Sequence, residues 1–209
     1  MRQTASLFAA ASLIALGACQ PANDAGAPPG AETPAVDTPA VEEPATPADP
    51  NALTSEGWST LRIGMTLAEV TAAMGPDSNP DAVGGADPES CDQFRPERAP
   101  EGLLVMMEDG ILTSISVGEP STLTTDRGFG VGSTPDEIKA AYGDAATSSP
   151  HNYVDAPGEY ITVWDGGPRG EDYVQDEAAR GVVYEVNQDG VVSYVRVGGP
   201  SIQYVEGCA

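Results

Sequence analysis

Few residues in this 209-residue chain could do chemistry, and their spacing limits what kind. There are three cysteines, Cys19, Cys91 and Cys208, and a single histidine, His151. An odd cysteine count leaves one thiol outside any disulfide framework. No Cys-x-x-Cys is present to suggest a redox pair. His151 sits in Ser148-Ser149-Pro150-His151-Asn152-Tyr153. A serine near a histidine is the minimum for nucleophilic catalysis, but no Gly-x-Ser-x-Gly elbow exists and a triad also needs an orienting third group. A loop or sheet-edge position is expected for His151. Asp77-Ser78-Asn79-Pro80-Asp81 begins as a calcium loop does. Ala82 stands where that loop needs glycine for its sharp turn, and Pro88 where it needs a bidentate glutamate. A solvated acidic loop is expected instead, as at Glu171-Asp172 and Asp176-Glu177. Gly128-Phe129-Gly130-Val131-Gly132 has the glycine spacing of a phosphate cradle but no lysine and no convincing preceding strand. The chain is therefore expected to carry no catalytic residue, no metal site and no cofactor.

The extra cysteine has a reading at the N-terminus. Arg2 is followed by an apolar run from Ala5 to Leu16, too short to cross a bilayer, which takes roughly 20 residues. A short apolar core ending in small residues is the pattern of a cleaved export signal. Leu16-Gly17-Ala18-Cys19 resembles the lipobox of bacterial lipoproteins, an aliphatic residue, two small residues and a cysteine. The resemblance implies cleavage after residue 18, lipidation of Cys19 and anchoring in the cell envelope. Gln20 in place of aspartate implies outer-membrane sorting, with the protein facing the periplasm. Each buried methylene contributes roughly 0.8 kcal/mol, so two or three acyl chains hold a protein in the membrane durably. With Cys19 lipidated, Cys91 and Cys208 most simply form a disulfide in an oxidising compartment. The rival reading is two free thiols.

Without residues 1–18 the chain carries 8 Lys and Arg against 32 Asp and Glu, a formal charge of −24. Nucleic acid and anionic lipid headgroups are poor partners for such a surface. A basic protein partner is electrostatically easier. Over residues 20–50 there are 8 Pro, 8 Ala and 6 acids, with no basic or aromatic residue. A disordered tether reaching about 95 Å is expected there.

Apolar residues begin after Asn51, and the elements that must position any site then appear twice. Gly64–Gly75, GMTLAEVTAAMG, matches Gly132–Gly143, GSTPDEIKAAYG, at six of twelve positions. Asp109–Gly118, DGILTSISVG, matches Asp189–Gly198, DGVVSYVRVG. Thr66 with Glu69, and Thr134 with Glu137, have the spacing of capping boxes, so structural roles are expected for all four. Leu67, Val70 and Met74 then share one helical face. Gly75 and Gly143 end the helices. Asp-Gly between aliphatic runs predicts hairpins over Leu103–Val117 and Val182–Val197. Further strands are expected near Cys91–Arg95, Val154, Glu159–Trp164 and Ile202–Val205.

The pattern of a capped helix followed by an Asp-Gly hairpin resembles the SmpA/OmlA family of small α+β lipoproteins, the BamE-like proteins. Its duplication resembles the tandem-repeat β-lactamase-inhibitor proteins. The fold class expected is α+β, two tandem units, each a short helix packed on an antiparallel sheet. The expected organisation is a signal peptide over 1–18, lipidated Cys19 and linker over 19–50, unit one over 51–120 and unit two over 121–209. The resemblance implies a noncatalytic role in binding a protein partner or supporting envelope assembly. The alternative is an inhibitor of a periplasmic or secreted enzyme, and a third reading is an enzyme of unrecognised type. Trp58 and Trp164 are expected in the core, while Tyr153, Tyr160 and Tyr173 could serve a binding surface.

Overall fold

Residues 49–208, apart from Val83, Glu171 and Asp172, are described by a computed structural model. The expected signal segment, Cys19 and all but the end of the linker lie outside the described residues. The described chain is mixed α+β. A small two-stranded sheet joins β1 (Gly57–Trp58) to β2 (Leu61–Arg62), and helix α1 (Leu67–Met74) follows. The strands β3 (Cys91–Phe94), β4 (Leu103–Glu108) and β5 (Ile111–Gly118) precede helix α2 (Pro135–Tyr142). The strands β6 (Ala146–Pro150), β7 (Glu159–Trp164), β8 (Gly181–Val186) and β9 (Val192–Gly198) complete the chain before a 3-10 turn at Pro200–Gln203. All strands from β3 to β9 form one antiparallel sheet in the order β3-β4-β5-β9-β8-β7-β6. Strands from both halves of the folded region thus share a single sheet, with β5 paired to β9 at its centre.

Both helices start as their sequences direct. The Thr66 hydroxyl accepts from the Glu69 N–H at 3.3 Å, and Glu69 Oε2 accepts from the Thr66 N–H at 2.8 Å, a complete capping box. At α2, Glu137 Oε2 accepts from the Thr134 N–H at 3.2 Å and from its hydroxyl at 2.6 Å. Pro135 takes the first helical position, where its missing donor costs nothing. Each helix is moored to the second strand of the hairpin that belongs to its repeat. The Gly64 N–H donates to Leu112 O at 2.8 Å, and the Leu112 N–H returns to Met65 O at 2.7 Å. The same exchange recurs as Gly132 to Val192 O at 2.8 Å and Val192 to Ser133 O at 2.9 Å.

The hairpins share more than their Asp-Gly turns. Asp109 and Gly110 both have positive φ, 48° and 76°, as a two-residue turn with the twist of its flanking strands requires. The second turn is longer, since Asn187 accepts through Oδ1 from Asp189 and Val191 and only Gly190 has positive φ. Each hairpin carries one bulge, between Met106 and Met107 in the first and between Glu185 and Val186 in the second. Across the central pair, Ile115 faces Val197 and Val117 faces Val195, with Ser116 opposite Arg196 between them. The pairing is therefore symmetric about Ser116 and Arg196, which occupy matching positions of the two repeated segments.

Alternation along the strands gives the sheet two faces. One face carries Leu103, Val105, Ile115, Val117, Ile161, Tyr184, Val195 and Val197, all buried. Val70 and Met74 of α1 and Ile138 of α2 join the same apolar cluster. Each fully buried aliphatic side chain of this kind contributes about 1.5–3 kcal/mol. Leu67 departs from the expected helical stripe and is 46% exposed. It is the first helical residue, and its side chain leans back past the helix end rather than onto the sheet. Two expected strands are also replaced. Around Val154 the backbone turns, and Ile202 lies in the 3-10 turn that Pro200 opens. Strand β6 was not foreshadowed, because Ala146-Thr147-Ser148-Ser149-Pro150 has no apolar alternation.

Candidate functional site

The sheet face opposite the helices is where polar side chains converge. Directly paired residues place Leu104, Ser116, Arg196, Val183, Thr162 and Thr147 in one row across six strands. A neighbouring row holds Tyr194, Glu185, Tyr160 and Ser149. This face is not bare. Val174, Ala179 and Ile202 pack on Tyr160, Trp164 and Val183 in a second apolar cluster, with Val205 against it. The C-terminal segment is tied across the face by Cys91 and Cys208, whose sulfurs are 2.06 Å apart, at disulfide distance. Gln203 holds the segment Val174–Gln203 together, accepting from the Val174 N–H at 3.0 Å and donating to Val174 O at 2.9 Å.

Under this strap lies a charged network. Arg196 is 9% exposed, pairs through Nη2 with Glu185 Oε2, and donates from Nη1 to Ile202 O at 3.2 Å. The other Glu185 oxygen lies 3.3 Å from His151 Nε2. His151 Nδ1 accepts from the Tyr153 N–H at 3.0 Å and the Val154 N–H at 3.3 Å. A nitrogen that accepts carries no proton, so Nε2 bears the hydrogen and donates to Glu185. Both ring nitrogens are thereby spent. The ring stacks on Tyr160 at 4.7 Å. Burial, then the Glu185 charge, pushes the Tyr160 phenol above its ordinary pKa. His151 thus closes a turn and braces a carboxylate, and among the described residues no serine hydroxyl bonds to it.

Three cavities open around the strap. A cleft of about 230 Å³ lies over Ser114, Ser116, Tyr194 and Arg196, and one of about 190 Å³ lies over Tyr160, Thr162 and Arg196. Arg196 thus reaches both sides of the strap. A groove of about 640 Å³ runs between the β4–β5 turn and the segment from Tyr173 to Arg180. Ligand sites commonly occupy about 300–1,000 Å³, a range that only the groove reaches. The hydroxyls of Ser116 and Ser201 are buried without a hydrogen-bond partner.

The residues singled out by the sequence are dispersed rather than gathered. Trp58 and Trp164 are buried, as expected. Tyr160 is buried, whereas Tyr153 is 64% and Tyr173 45% exposed. Asp77 Oδ1 accepts from the Asn79 N–H at 2.9 Å, closing a local turn, and Ser78 donates to Arg95 O at 2.9 Å. Among the described residues no group of three or more His, Cys, Asp or Glu is placed to hold a metal. In the glycine-rich stretch the N–H groups of Gly128, Phe129, Gly130 and Gly132 all bond within the chain, leaving none of them to cradle a phosphate. Glu185 and Arg196 are not among the residues expected from the sequence to form a site. Their signal was a charge between inward-facing valines, as in Val195-Arg196-Val197, which alternation sends to the opposite face. No protein-family profile matches the chain, and neither a curated protein nor a solved structure matches it significantly.

Proposed function

We propose that this chain is a lipoprotein anchored through Cys19 in the outer membrane, facing the periplasm. Its folded region, two related α+β units fused through β5 and β9, is a noncatalytic module that binds a basic protein partner. The repeated mooring of helix to hairpin and the matched bulges support the two-unit reading. One observation carries the choice of partner. Every cation of the described region is engaged within the chain. Arg62, Arg95 and Arg98 donate to backbone carbonyls, and Arg127 lies over Tyr142. Lys139, Arg169, Arg180 and Arg196 pair with Glu159, Asp176, Glu56 and Glu185. The remaining described carboxylates have no cationic partner, so the outward field is anionic and favours a basic surface. No helix among the described residues is long and apolar enough to cross a membrane, so the proposed attachment rests on Cys19 alone.

Two measurements test this reading. Cys19→Ala should abolish incorporation of labelled fatty acid into the protein and change its membrane partitioning; a wild-type chain that takes up no label, or a variant that still does, would refute the anchor at Cys19. Crosslinking from intact envelopes should trap a reproducible partner whose yield falls as salt rises. The absence of any partner from every surface probed would refute the binding role.

A further inference from the structure

The groove beside the β4–β5 turn combines three features. Its walls expose apolar surface. Ile111 is 37% exposed and Tyr173 45%, two of the four large apolar side chains left open to solvent. Its rim is acidic, with Glu108 and Asp109 on one side and Glu177 on the other. Arg180 is the sole cation of the lining, and it faces Glu56 at 3.7 Å. Its floor is unsatisfied. Ser201 is 3% exposed and its hydroxyl has no partner, while the buried Arg180 Nε has only its 3.7 Å ion pair with Glu56. A buried polar group left without a partner is costly, so this floor favours a ligand that supplies an acceptor. Tyr204 lines the same groove, its phenol pushed up to about 12 by burial first and then by the Glu108 charge. It therefore stays neutral, an aromatic ring beside a carboxylate, a pairing that attracts a cation.

We propose that this groove captures a short extended segment of a partner protein, a lysine or arginine flanked by apolar residues. The cationic head lies between Tyr173, Tyr204 and the carboxylates of Glu108, Asp109 and Glu177. The flanking apolar side chains cover Ile111, and a backbone carbonyl of the segment accepts from the Ser201 hydroxyl. A segment rather than a free amine is required, because a small polyamine would satisfy the charge and leave Ile111 uncovered. The inference rests on the protein-binding role proposed above and gives it a place.

The probe is a synthetic capped pentapeptide, Val-Arg-Leu-Arg-Val, titrated into the full chain in detergent and followed by amide shifts. Free spermidine and a peptide with citrulline for arginine are the comparison arms. Shifts should cluster at Ile111, Tyr173 and Ser201, and the citrulline peptide and spermidine should bind more weakly. Asp109→Asn with Glu177→Gln removes two exposed charges and keeps the turn, since asparagine tolerates positive φ. That variant should lose about three- to tenfold in affinity for the arginine peptide. Asp189→Asn, at the other hairpin turn, should lose nothing. Equal losses in both variants would overturn the groove in favour of diffuse charge attraction. Spermidine binding as well as the peptide would overturn the requirement for a segment. The inference fails without the wider reading failing if photocrosslinkers at Ser148 on β6 trap a partner while those at Ile111 trap none. If neither these two positions nor any other surface probed traps one, both fail.

Discussion

The β4–β5 and β8–β9 hairpins have matching backbones and different polar chemistry. They have the same mooring to a helix, the same bulge and mutually symmetric pairing about Ser116 and Arg196. Toward the helices both carry aliphatic rows, varied mainly by Tyr184 where the first hairpin has Val105. Toward the strap they diverge. The first presents Leu104, Met106, Ser114 and Ser116, and the second presents Val183, Glu185, Tyr194 and Arg196. The shared frame thus lies in the helix-facing rows, which are similar in both hairpins, while the opposite face differs between them. The second hairpin carries an ion pair whose arginine also holds the strap through Ile202 O, and β3 beside the first hairpin holds the strap by a disulfide.

The largest expected effect comes from cutting that covalent hold. Cys91 and Cys208 lie 117 residues apart. In the chain-entropy model a loop of this length is worth about 4–5 kcal/mol. Cys91→Ser should lower stability by that order and leave the strap held by Arg196, the Gln203–Val174 bonds and the packing of Ile202 and Val205. Urea unfolding with and without reductant reads it: the intact chain should lose its midpoint on reduction and the variant should not respond. A midpoint indifferent to reductant would show that the strap needs no tether.

Next comes the ion pair that distinguishes the hairpins. Glu185→Met alone leaves the guanidinium of Arg196 buried with one carbonyl partner. Breaking a buried pair costs about 3–5 kcal/mol, and with Glu185 partly open to water the expected loss is about 2–3 kcal/mol. Adding Arg196→Ser copies the first hairpin's residues onto the second. If the hairpins share one frame, this double variant should recover most of the loss. A double variant as unstable as the single would show that the two faces are not interchangeable.

Tyr184 tests the helix-facing side. Its hydroxyl lies 3.1 Å from Thr125 Oγ1 and 3.0 Å from Tyr142 Oη, in a fully buried setting. Tyr184→Phe should cost about 1–2 kcal/mol by orphaning those partners. Burial raises the phenols of Tyr184 and Tyr142 above their ordinary value. A raised folded pKa means stability is full below the unfolded value of 10.0 and falls as pH rises beyond it. Tyr184→Phe should flatten that alkaline decline, measured as the unfolding midpoint between neutral and strongly alkaline pH.

What the sequence made legible follows the same division. The helix boundaries were readable because Thr66, Glu69 and Gly75 each act on backbone within a few residues. The hairpins were readable from Asp109-Gly110 and the valine alternation. The joining of both hairpins in one sheet was not, because β5–β9 pairing lies between segments far apart in sequence and carries no turn signal. The edge strand β6 was missed for want of apolar residues. The strap was read as a strand, since Ile202, Tyr204 and Val205 look like one until Pro200 starts a 3-10 turn. The groove was hardest to see. Nothing in the sequence links Tyr173 and Asp176-Glu177 to Glu108 and Ile111, and only the tertiary fold sets them opposite one another.

The smallest effect separates the two helix caps. At α1 the Thr66 hydroxyl accepts from the Glu69 N–H and donates to Glu69 Oε2, whereas at α2 the tight contact is the Thr134 hydroxyl donating to Glu137 Oε2 at 2.6 Å. An accepting cap satisfies an otherwise orphaned helical donor, and its loss typically costs about 1 kcal/mol. Thr66→Ala should therefore destabilise the fold by about that much, and Thr134→Ala by less. Both glutamates are held below the usual carboxylate range. Glu69 is held chiefly by the Thr66 backbone N–H and Glu137 chiefly by the Thr134 hydroxyl. A depressed folded pKa gives stability that is present at neutral pH and is lost as pH falls through the folded value. The first turn of each helix should therefore fray on acidification. Because Glu137 loses its leading partner with the Thr134 hydroxyl and Glu69 keeps its own in Thr66→Ala, the pH response should flatten more in Thr134→Ala. Amide exchange at the first turns, followed from neutral to acid pH in both variants, would expose any failure of that order. Equal flattening would mean that backbone and hydroxyl donors hold the two carboxylates alike, and the caps would then be as interchangeable as the hairpin frames.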